Sequence, residues 1–297
     1  MNQDGVLLIN KPRGMTSHDV VMKLRRILDT KKVGHTGTLD PDVDGVLPIC
    51  VGTATKLVQF LTAESKTYIG EVTLGISTTT EDASGEIIEQ NYIEEPPTKN
   101  KIEEILKSMI GTSVQTPPMY SAVKVNGKKL YEYARAKQAV ERPQRTVTIH
   151  QIGLLGEIIH HEGLVSFKFF IHGSKGIFIR TVAVTIGEKL SMPAHMSNLT
   201  RIASGSFKIE DCQTLEDVVE NGPNYLSISQ ALIDFSTVTV DNWVENLVKN
   251  GVKLREEQIS PPMKQGQFLI KNKLGNPLSI HVWDDKKKLY VAIRGLW

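Results

Sequence analysis

The chain has 297 residues, of which 40% are hydrophobic and 23% are charged, and its net charge at pH 7 is +2. This length can bury a full core and predicts one large domain followed by a small one. No apolar run approaches the roughly 18 residues that span a bilayer, and the first residues lack the pattern of a secretory signal. The two cysteines are far apart and the eight histidines show no metal-ligand spacing, which suits a reducing compartment and argues against a metal site. We therefore expect a cytoplasmic protein that binds no metal and enters no membrane.

Charged residues are segregated along the chain. Residues 1–35 carry seven Lys or Arg against three acidic residues, and residues 120–150 carry seven against two. Residues 81–104 instead hold eight acidic residues and two lysines. Such segregation is typical of a protein whose basic face meets a polyanion, although ordinary solvated faces explain the charge alone equally well.

The first predicted strand is Gly5–Lys11, and a polar turn leads from it into a helix. Ser17 can cap this helix, which we expect to continue through Asp29 because apolar residues follow the helical spacing. Taken alone, the turn predicts an exposed Lys11.

Residues 34–48 cannot form a regular helix or strand, because glycine and proline recur throughout them. Asp40, Asp42 and Asp44 match the opening of a calcium-binding EF-hand loop, but the position that needs a glutamate holds a valine, so calcium is excluded. A tight turn with solvated aspartates is the ordinary interpretation. The other interpretation is that Asp40, fixed between a leucine and a proline, is a nucleophile or base in a cleft, while Asp42 and Asp44 are solvated.

A predicted helix at Ala54–Ala63 precedes a predicted strand at Lys66–Ile76, whose alternation puts Tyr68 on the apolar face. A tyrosine at such a position is either core packing or an aromatic platform for a nucleobase, where stacking is worth about 1–3 kcal/mol. Further on, Thr98 caps an amphipathic helix whose apolar face includes Ile110.

The dipeptide Asn126-Gly127 predicts a type I′ hairpin. Lys124, Lys128 and Lys129, here called the hairpin lysines, surround it and alternate with tyrosines. An RNA-contacting surface needs this combination of charge for phosphates and rings for bases.

Two strands are predicted at Gln144–Leu155 and Leu164–His172, and a helix that contains Arg180 follows them and runs to Leu190. An arginine that enters a helix among apolar residues is costly to bury without a partner. We therefore expect a carboxylate beside Arg180, and Asp40 is the natural candidate.

The remainder of the chain predicts a compact β unit. After a short helix capped by Thr214, a helix at Asp241–Asn250 precedes three short strands. These strands are Gln267–Asn272, Leu278–Trp283 and Lys288–Arg294.

Five ordered segments carry distinctive strings. The central one is G-H-T-G-T-L-D-P-x-x-x-G-V-L-P-I-C, residues 34–50; the others are K-P-x-G-x-T-S, S-K-T-Y-I-G, P-P-x-Y-S-A-x-K-x-x-G-x-x-L-Y-x-x-A-R, and S-K-G-I-F-I-R-T followed by H-x-x-x-L-x-R. Together these strings resemble the bacterial tRNA pseudouridine synthase B (TruB) family over almost all of residues 1–201. Three positions depart from the family pattern, namely Gly173, Ile177 and Phe178. Phe178 keeps the ring of the family's tyrosine but loses its hydroxyl.

The resemblance implies an α+β fold with a large mixed, mainly antiparallel sheet flanked by helices, in a catalytic domain at residues 1–235. A small β-rich domain at residues 236–297 resembles the PUA-type RNA-binding domain. The implied reaction is isomerisation of a uridine in the T loop of tRNA, position 55 in tRNA nomenclature, to pseudouridine. It needs no cofactor, and we expect a monomer whose partner is the T-stem loop of tRNA.

The same resemblance implies roles for individual residues. Asp40 acts as the catalytic nucleophile or base, Tyr68 stacks on the uracil, and Arg180 keeps Asp40 ionised by lowering its pKa. Leu199 and Phe178 exclude water, and His35 occupies the region that a flipped-out base vacates. Lys11 and the hairpin lysines are expected to bind phosphates. One alternative is a non-catalytic RNA-binding or tRNA-folding module, and another is a nucleosidase for small molecules, which would use a second carboxylate. A pseudouridine synthase with a different RNA target is a third.

Overall fold

The computed structural model describes residues 4–296, so Met1 to Gln3 and Trp297, at the ends of the predicted domains, lie outside the described residues. The strands are β1 (Gly5–Lys11), β2 (Val33–His35), β3 (Asp44–Val51), β4 (Lys66–Leu74), β5 (Ile76–Thr78), β6 (Ile87–Gln90), β7 (Gly111–Gln115), β8 (Lys124–Val125), β9 (Lys128–Lys129), β10 (Arg145–His161), β11 (Leu164–Gly173), β12 (Ala194–Ser204), β13 (Phe207–Lys208), β14 (Ser236–Val240), β15 (Gln267–Asn272), β16 (Pro277–Asp284) and β17 (Leu289–Gly295). The α-helices are α1 (Ser17–Ile27), α2 (Val58–Leu61), α3 (Lys99–Ser108), α4 (Leu130–Arg135), α5 (Ile179–Leu190), α6 (Leu215–Asn221), α7 (Ile228–Ala231) and α8 (Asn242–Lys249).

A large mixed sheet organises the fold, as the family resemblance implies. Its strands run in the order β1-β3-β12-β4-β11-β10-β7, with β2 added to β3 and β13 added to β12. The contact between β12 and β3 is parallel, and the other pairs of this sheet are antiparallel. Helices α3 and α5 pack their apolar faces on one part of the sheet, and α1 packs on the strands at its β1 edge.

The C-terminal β unit has one strand more than the sequence predicts. The sheet order is β14-β15-β16-β17, and β14 joins β15 in parallel. Leu269 and Ile280 of this sheet share a core with Val6 and Leu8 of β1, so the two sheets pack directly against each other. The division of the chain at residue 235 stays a prediction.

Several predicted boundaries move by a few residues. Thr16, and not Ser17, caps α1, because its hydroxyl accepts from the Asp19 amide while the Asp19 carboxylate accepts from the Thr16 amide. Strand β4 ends at Leu74, because Gly75 turns the chain at a φ of +103°.

Two further segments differ from prediction. The helix expected at Ala54–Ala63 is a 3₁₀ segment at Gly52–Leu57 followed by the single turn of α2. Ile110 lies beyond the end of α3 and is 49% exposed, so it does not belong to the core.

Candidate active site

The loop that carries Asp40 joins β2 to β3 and is fixed on both sides of this residue. The Leu39 amide donates to the Ser17 hydroxyl at 2.8 Å, and the Pro41 carbonyl accepts from the Gly14 amide at 2.9 Å. The Asp40 carbonyl itself accepts from the Val43 amide at 3.1 Å. Backbone hydrogen bonds therefore position the carboxylate without using its oxygens.

Lys11 helps to hold this loop and has a different position from the one expected. Its ammonium donates to the carbonyls of Pro12, Met15 and Pro41 at 2.6–3.1 Å, and the residue is 0% exposed. Burial lowers the pKa of Lys11 to about 8, although three nearby aspartates raise it. Because three acceptors surround the buried ammonium, the expectation that Lys11 binds phosphate is corrected: its bonds are structural.

Arg180, near the start of α5, reaches four acceptors from three loops. Nη2 lies 3.1 Å from the Asp40 carboxylate and donates to the Tyr120 carbonyl at 2.8 Å. Nη1 lies 3.3 Å from the Asp82 carboxylate and donates to the Thr80 carbonyl at 3.0 Å. The guanidinium therefore fixes the Asp40 loop against the turn at residues 78–85 and the segment before the hairpin. The predicted contact of Arg180 with Asp40 is present.

The pKa of Asp40 is displaced in the direction opposite to expectation. The protein around Asp40 removes it from bulk water and raises its pKa, although 42% of its side chain faces a cavity. Arg180 lowers the pKa, but Asp82 raises it again, and the net shift is upward from the ordinary value. The pairing predicted from sequence is present, while desolvation is the larger effect.

Two adjoining cavities meet at Asp40. The first has a volume of about 380 Å³, within the usual range of ligand pockets, and its walls include Tyr68, Phe178, Leu199 and Lys124. The second has a volume of about 1010 Å³, and its walls include the side chains of His35 and Lys129. Asp40, Arg180 and Leu199 border both cavities. Lys128 is exposed and borders neither of them.

One wall of the smaller cavity comes from β4 and its neighbour β12. Residues directly opposite each other on antiparallel strands project to the same side. Tyr68 is opposite Arg201, and Leu199 is opposite Gly70. Lys66 lies two residues before Tyr68 and therefore projects to the same side. Along this wall the order is a leucine, the tyrosine ring and two cations.

His35 and the hairpin are at the rim of the site. The Nδ1 atom of His35 accepts from the Gly37 amide at 3.3 Å, and burial lowers the pKa of the imidazole. Asn126 and Gly127 have φ values of 50° and 83°, so the predicted type I′ turn is confirmed. Lys129 stands over the Tyr131 ring, with its ammonium 5.3 Å from the centroid.

Sequence reasoning missed several residues of the site. Asp82 was not singled out, although a buried arginine with only one carboxylate partner is itself a signal for another acceptor. Asp44 was expected to be solvated, but it accepts from the Thr200 hydroxyl at 2.6 Å and pairs with Arg13 at 3.4 Å. Thr36 and Ser121 have buried hydroxyls with no hydrogen-bond partner among residues 4–296, and both border the smaller cavity. No local pattern marks these two.

No group of three or more His, Cys, Asp or Glu side chains between residues 4 and 296 is arranged to hold a metal ion. Over the same residues, no helix is long and apolar enough to cross a membrane.

The chain is similar to known proteins over most of its length. Residues 25–179 match the TruB family pseudouridylate synthase N-terminal domain, and residues 180–226 match the tRNA pseudouridylate synthase B C-terminal domain. The chain is 57% identical over 267 residues to tRNA pseudouridine synthase B of Bacillus cereus, covering 87% of each protein. It is 55% identical over 257 residues to the Bacillus licheniformis protein of that name, covering 84% of this chain and 83% of that one.

Among solved structures, a chain of a Cbf5-Nop10-Gar1 complex superimposes with a TM-score of 0.76 at 25% identity, covering 99% of this chain and 85% of that one. A chain of an H/ACA RNP bound to a substrate RNA containing 2′-deoxyuridine has a TM-score of 0.73 at 23% identity, covering 99% and 86%. The second likeness establishes a shared fold.

Proposed function

The chain belongs to the TruB family of pseudouridylate synthases, and on that premise we propose that it isomerises the uridine at position 55 in the T loop of tRNA. The reaction needs no cofactor, because uridine and pseudouridine contain the same atoms. The observation that carries the proposal is the 3.1 Å contact of Arg180 with Asp40 where two cavities meet. A carboxylate held beside a cation in a recess is suited to glycosyl chemistry.

Asp40 is the catalytic carboxylate in this proposal. Breaking the N1–C1′ bond develops positive charge on the sugar, which an ionised carboxylate stabilises or captures. One carboxylate is enough, because the uracil is retained and bonds again through C5. Arg180 orients Asp40 and opposes the upward shift of its pKa that burial causes.

The target base must leave its stack before Asp40 can act on it. Extruding a base costs a few kcal/mol, and stacking on Tyr68, worth about 1–3 kcal/mol, offsets part of that cost. Leu199 and Phe178 border the same cavity and exclude water from the reacting sugar. His35, at the larger cavity, occupies the vacated region of the RNA loop.

The hairpin lysines are proposed to bind phosphates of the T-stem loop. Lys124 borders the smaller cavity and Lys129 the larger one, while Lys128 lies exposed on the same hairpin. Positive charge at the mouth of the site suits an RNA backbone. Binding through such contacts releases counterions from the RNA, and added salt weakens it because that release becomes less favourable.

The substitution Asp40→Asn tests the proposal, because it keeps the shape of the side chain and removes its charge. We expect pseudouridine formation in tRNA to be lost while the Kd for tRNA stays within about threefold, since catalysis and backbone binding use different groups. Asp42→Asn is the matched control: Asp42 is an exposed neighbour in the same loop, and its activity should be unchanged.

Two rivals predict other outcomes. If Asp40→Asn forms pseudouridine at the parent rate, Asp40 is not the catalytic group. If the parent protein binds tRNA but forms no pseudouridine, it is a non-catalytic RNA-binding module. If the parent protein releases free uracil from small nucleosides, it is a nucleosidase. Retention of all uracil in the RNA favours the isomerase.

The wider proposal is a monomer that acts in the cytoplasm, with a catalytic unit at residues 1–235 and a PUA-like RNA-binding unit at residues 236–297. Separate hydrogen-bonded sheets support that division. Cys50 and Cys212 are free thiols, which suits a reducing compartment.

A further inference from the structure

Two buried cations in the smaller cavity have no role in the function proposed so far. Lys66 is 6% exposed and Arg201 is 2% exposed, and both border the cavity that contains Tyr68. Among residues 4–296, neither has a carboxylate oxygen within 4.0 Å. Buried charges are usually paired, since an isolated one is costly. The two cations therefore have no neighbouring carboxylate to compensate their charge.

Part of the hydrogen-bonding capacity of both side chains is unused. Arg201 donates from Nε to the Val46 carbonyl at 2.7 Å and from Nη2 to the Gly37 carbonyl at 3.3 Å, which leaves Nη1 without an acceptor among the described residues. Lys66 donates to the Thr62 and Glu64 carbonyls at 3.0 and 2.5 Å, and an ammonium has a third hydrogen.

The unused donors converge near one point of the catalytic loop. A Cβ built on Gly37 would lie 3.5 Å from Nη1 of Arg201 and 4.0 Å from Cε of Lys66. Because Gly37 has no side chain, Nη1 of Arg201 and the end of the Lys66 side chain border a space that a Cβ at this position would fill.

We propose that Lys66, with Arg201, receives the carbonyl edge of the extruded uracil and stabilises the negative charge that this base acquires during the reaction. Lys66 and Arg201 stand beside Tyr68 on the same wall, so a base stacked on the ring has one edge toward them. The ligand is the substrate base itself. This inference rests on the proposed function, because it assumes that a uracil occupies the Tyr68 cavity.

The electron balance of the reaction gives these cations a function. When the N1–C1′ bond breaks, its electron pair stays with the uracil, and the charge spreads over N1 and the two carbonyl oxygens. The new bond from C5 to C1′ takes its pair from the same ring, C5 then loses its proton, and N1 gains one. The charge on the base thus appears and disappears within one turnover, whichever route Asp40 follows. Donors fixed where charge develops lower the barrier without reorganising.

The alternative occupant of a cationic pocket is an RNA phosphate. The burial of both residues argues against it, because phosphates are read by side chains that reach the protein surface. A planar base can slide along the Tyr68 ring into a narrow recess, whereas a tetrahedral phosphate with its flanking sugars needs an open one.

The experiment compares Lys66→Met and Lys66→Arg with the parent in single-turnover reactions on tRNA. We expect the methionine variant to be slower by about 100-fold, the usual loss for one preorganised donor, with the Kd for tRNA within about threefold of the parent. The arginine variant should retain the rate to within about tenfold, because it restores the charge. Lys175→Met is the matched control, since Lys175 lies near Lys66 but is exposed.

A pH profile separates this role from a purely structural one. Burial and Arg201 lower the pKa of Lys66 to about 8, with Glu64 acting in the opposite direction and Lys175 adding to the decrease. The parent rate should therefore fall above pH 8 as the ammonium is lost, and the decline should move to higher pH in Lys66→Arg. A guanidinium stays charged throughout that range.

The inference is overturned if Lys66→Met reacts within about threefold of the parent, or if the decline at high pH is the same in Lys66→Arg. Melting temperatures identify a folding defect, and Lys66→Gln, which keeps one donor for the carbonyls, then replaces the methionine variant. Asp40→Asn is measured in parallel. An active Asp40→Asn would refute the proposed function, whereas an inactive Asp40→Asn with an active Lys66→Met refutes only the role of Lys66.

Discussion

Removing Arg180 should destabilise the protein far more than removing another arginine that contacts an aspartate. In Arg180→Met an apolar stem remains, but the guanidinium is lost together with its four contacts with Asp40, Asp82, Thr80 and Tyr120. The side chain of Arg180 is 6% exposed and that of Asp82 is 18% exposed, so this pair is largely buried. Breaking a buried pair by removing one partner costs about 3–5 kcal/mol.

Two adjustments refine that magnitude. Two carbonyls lose a donor, which adds about 1 kcal/mol each. The side chain of Asp40 is 42% exposed to the cavity, so its contact with Arg180 is less shielded from solvent than that of Asp82 and adds less to this magnitude. The total is about 5–7 kcal/mol, and because a protein of this size loses roughly 2–4 °C per kcal/mol, the melting temperature should fall by about 10–30 °C.

Thermal unfolding by calorimetry or fluorescence measures the effect, with Arg13→Met as the control. Arg13 contacts Asp44 at 3.4 Å, but both side chains are more than 30% exposed, at 44% and 34%, and such a pair is worth at most about 1 kcal/mol. Without Arg180 the pKa of Asp40 rises further above its unfolded value. The native state then binds more protons than the unfolded chain as the pH falls, so the deficit of the variant should shrink on acidification.

A double variant provides the refutation. In Arg180→Met/Asp82→Asn the uncompensated charge is gone, so part of the stability should return, with a coupling energy of about 1–3 kcal/mol. If Arg180→Met melts within about 2 °C of the parent, or if the two substitutions are additive, the guanidinium does not hold these loops together.

Three further predictions concern other parts of the molecule. His281 is fully buried and its pKa is lowered to about 4. Because the imidazole gains its proton at a higher pH in the unfolded chain, the free energy of unfolding should fall by about 3 kcal/mol as the pH drops from 6.5 toward 4. Calorimetry on His281→Gln should show a flatter pH dependence. Gly45→Ala should unfold at a much lower temperature than Gly14→Ala, since both glycines have positive φ but only at Gly45 would a Cβ overlap the Arg201 backbone; equal melting temperatures would contradict this. Replacing each hairpin lysine by alanine should reduce the salt dependence of tRNA binding by about one unit of slope, whereas Lys107→Ala on α3 should leave it unchanged in a filter-binding titration.

The elements that could be predicted from the sequence are those whose determining residues lie within the element or directly beside it. Thr98 begins α3 by accepting from the Lys101 amide, and Asn126-Gly127 makes the turn that its sequence dictates. Both signals act over a few residues, so no distant part of the chain can change them. Strand β14 was missed because its position depends on parallel pairing with β15, thirty residues later.

The side chains of the site likewise fall into those whose contacts could be inferred from the sequence and those whose contacts depend on distant residues. The partnership of Arg180 with a carboxylate could be inferred, because burying an unpaired guanidinium is costly wherever it lies. Lys11 could not be placed, because a lysine beside a proline-glycine turn is typically exposed, and its burial depends on the Pro41 carbonyl, thirty residues away. The role proposed for Lys66 needs the contact of β4 with β12 and the path of the loop that carries Asp40, which only the folded chain brings together.

The pKa of Asp40 shows why both the walls and the cation of this site are needed. In the proposed reaction, walls that exclude water protect the sugar from hydrolysis, but the same exclusion raises the pKa of Asp40, which that reaction needs in its ionised form. Arg180 opposes that shift, while Asp82, which holds the other branch of the guanidinium, adds to it. A tighter cavity without Arg180 would leave Asp40 protonated over a wider range of pH. The position of the arginine between two carboxylates therefore limits how dry the cavity can be while Asp40 remains charged.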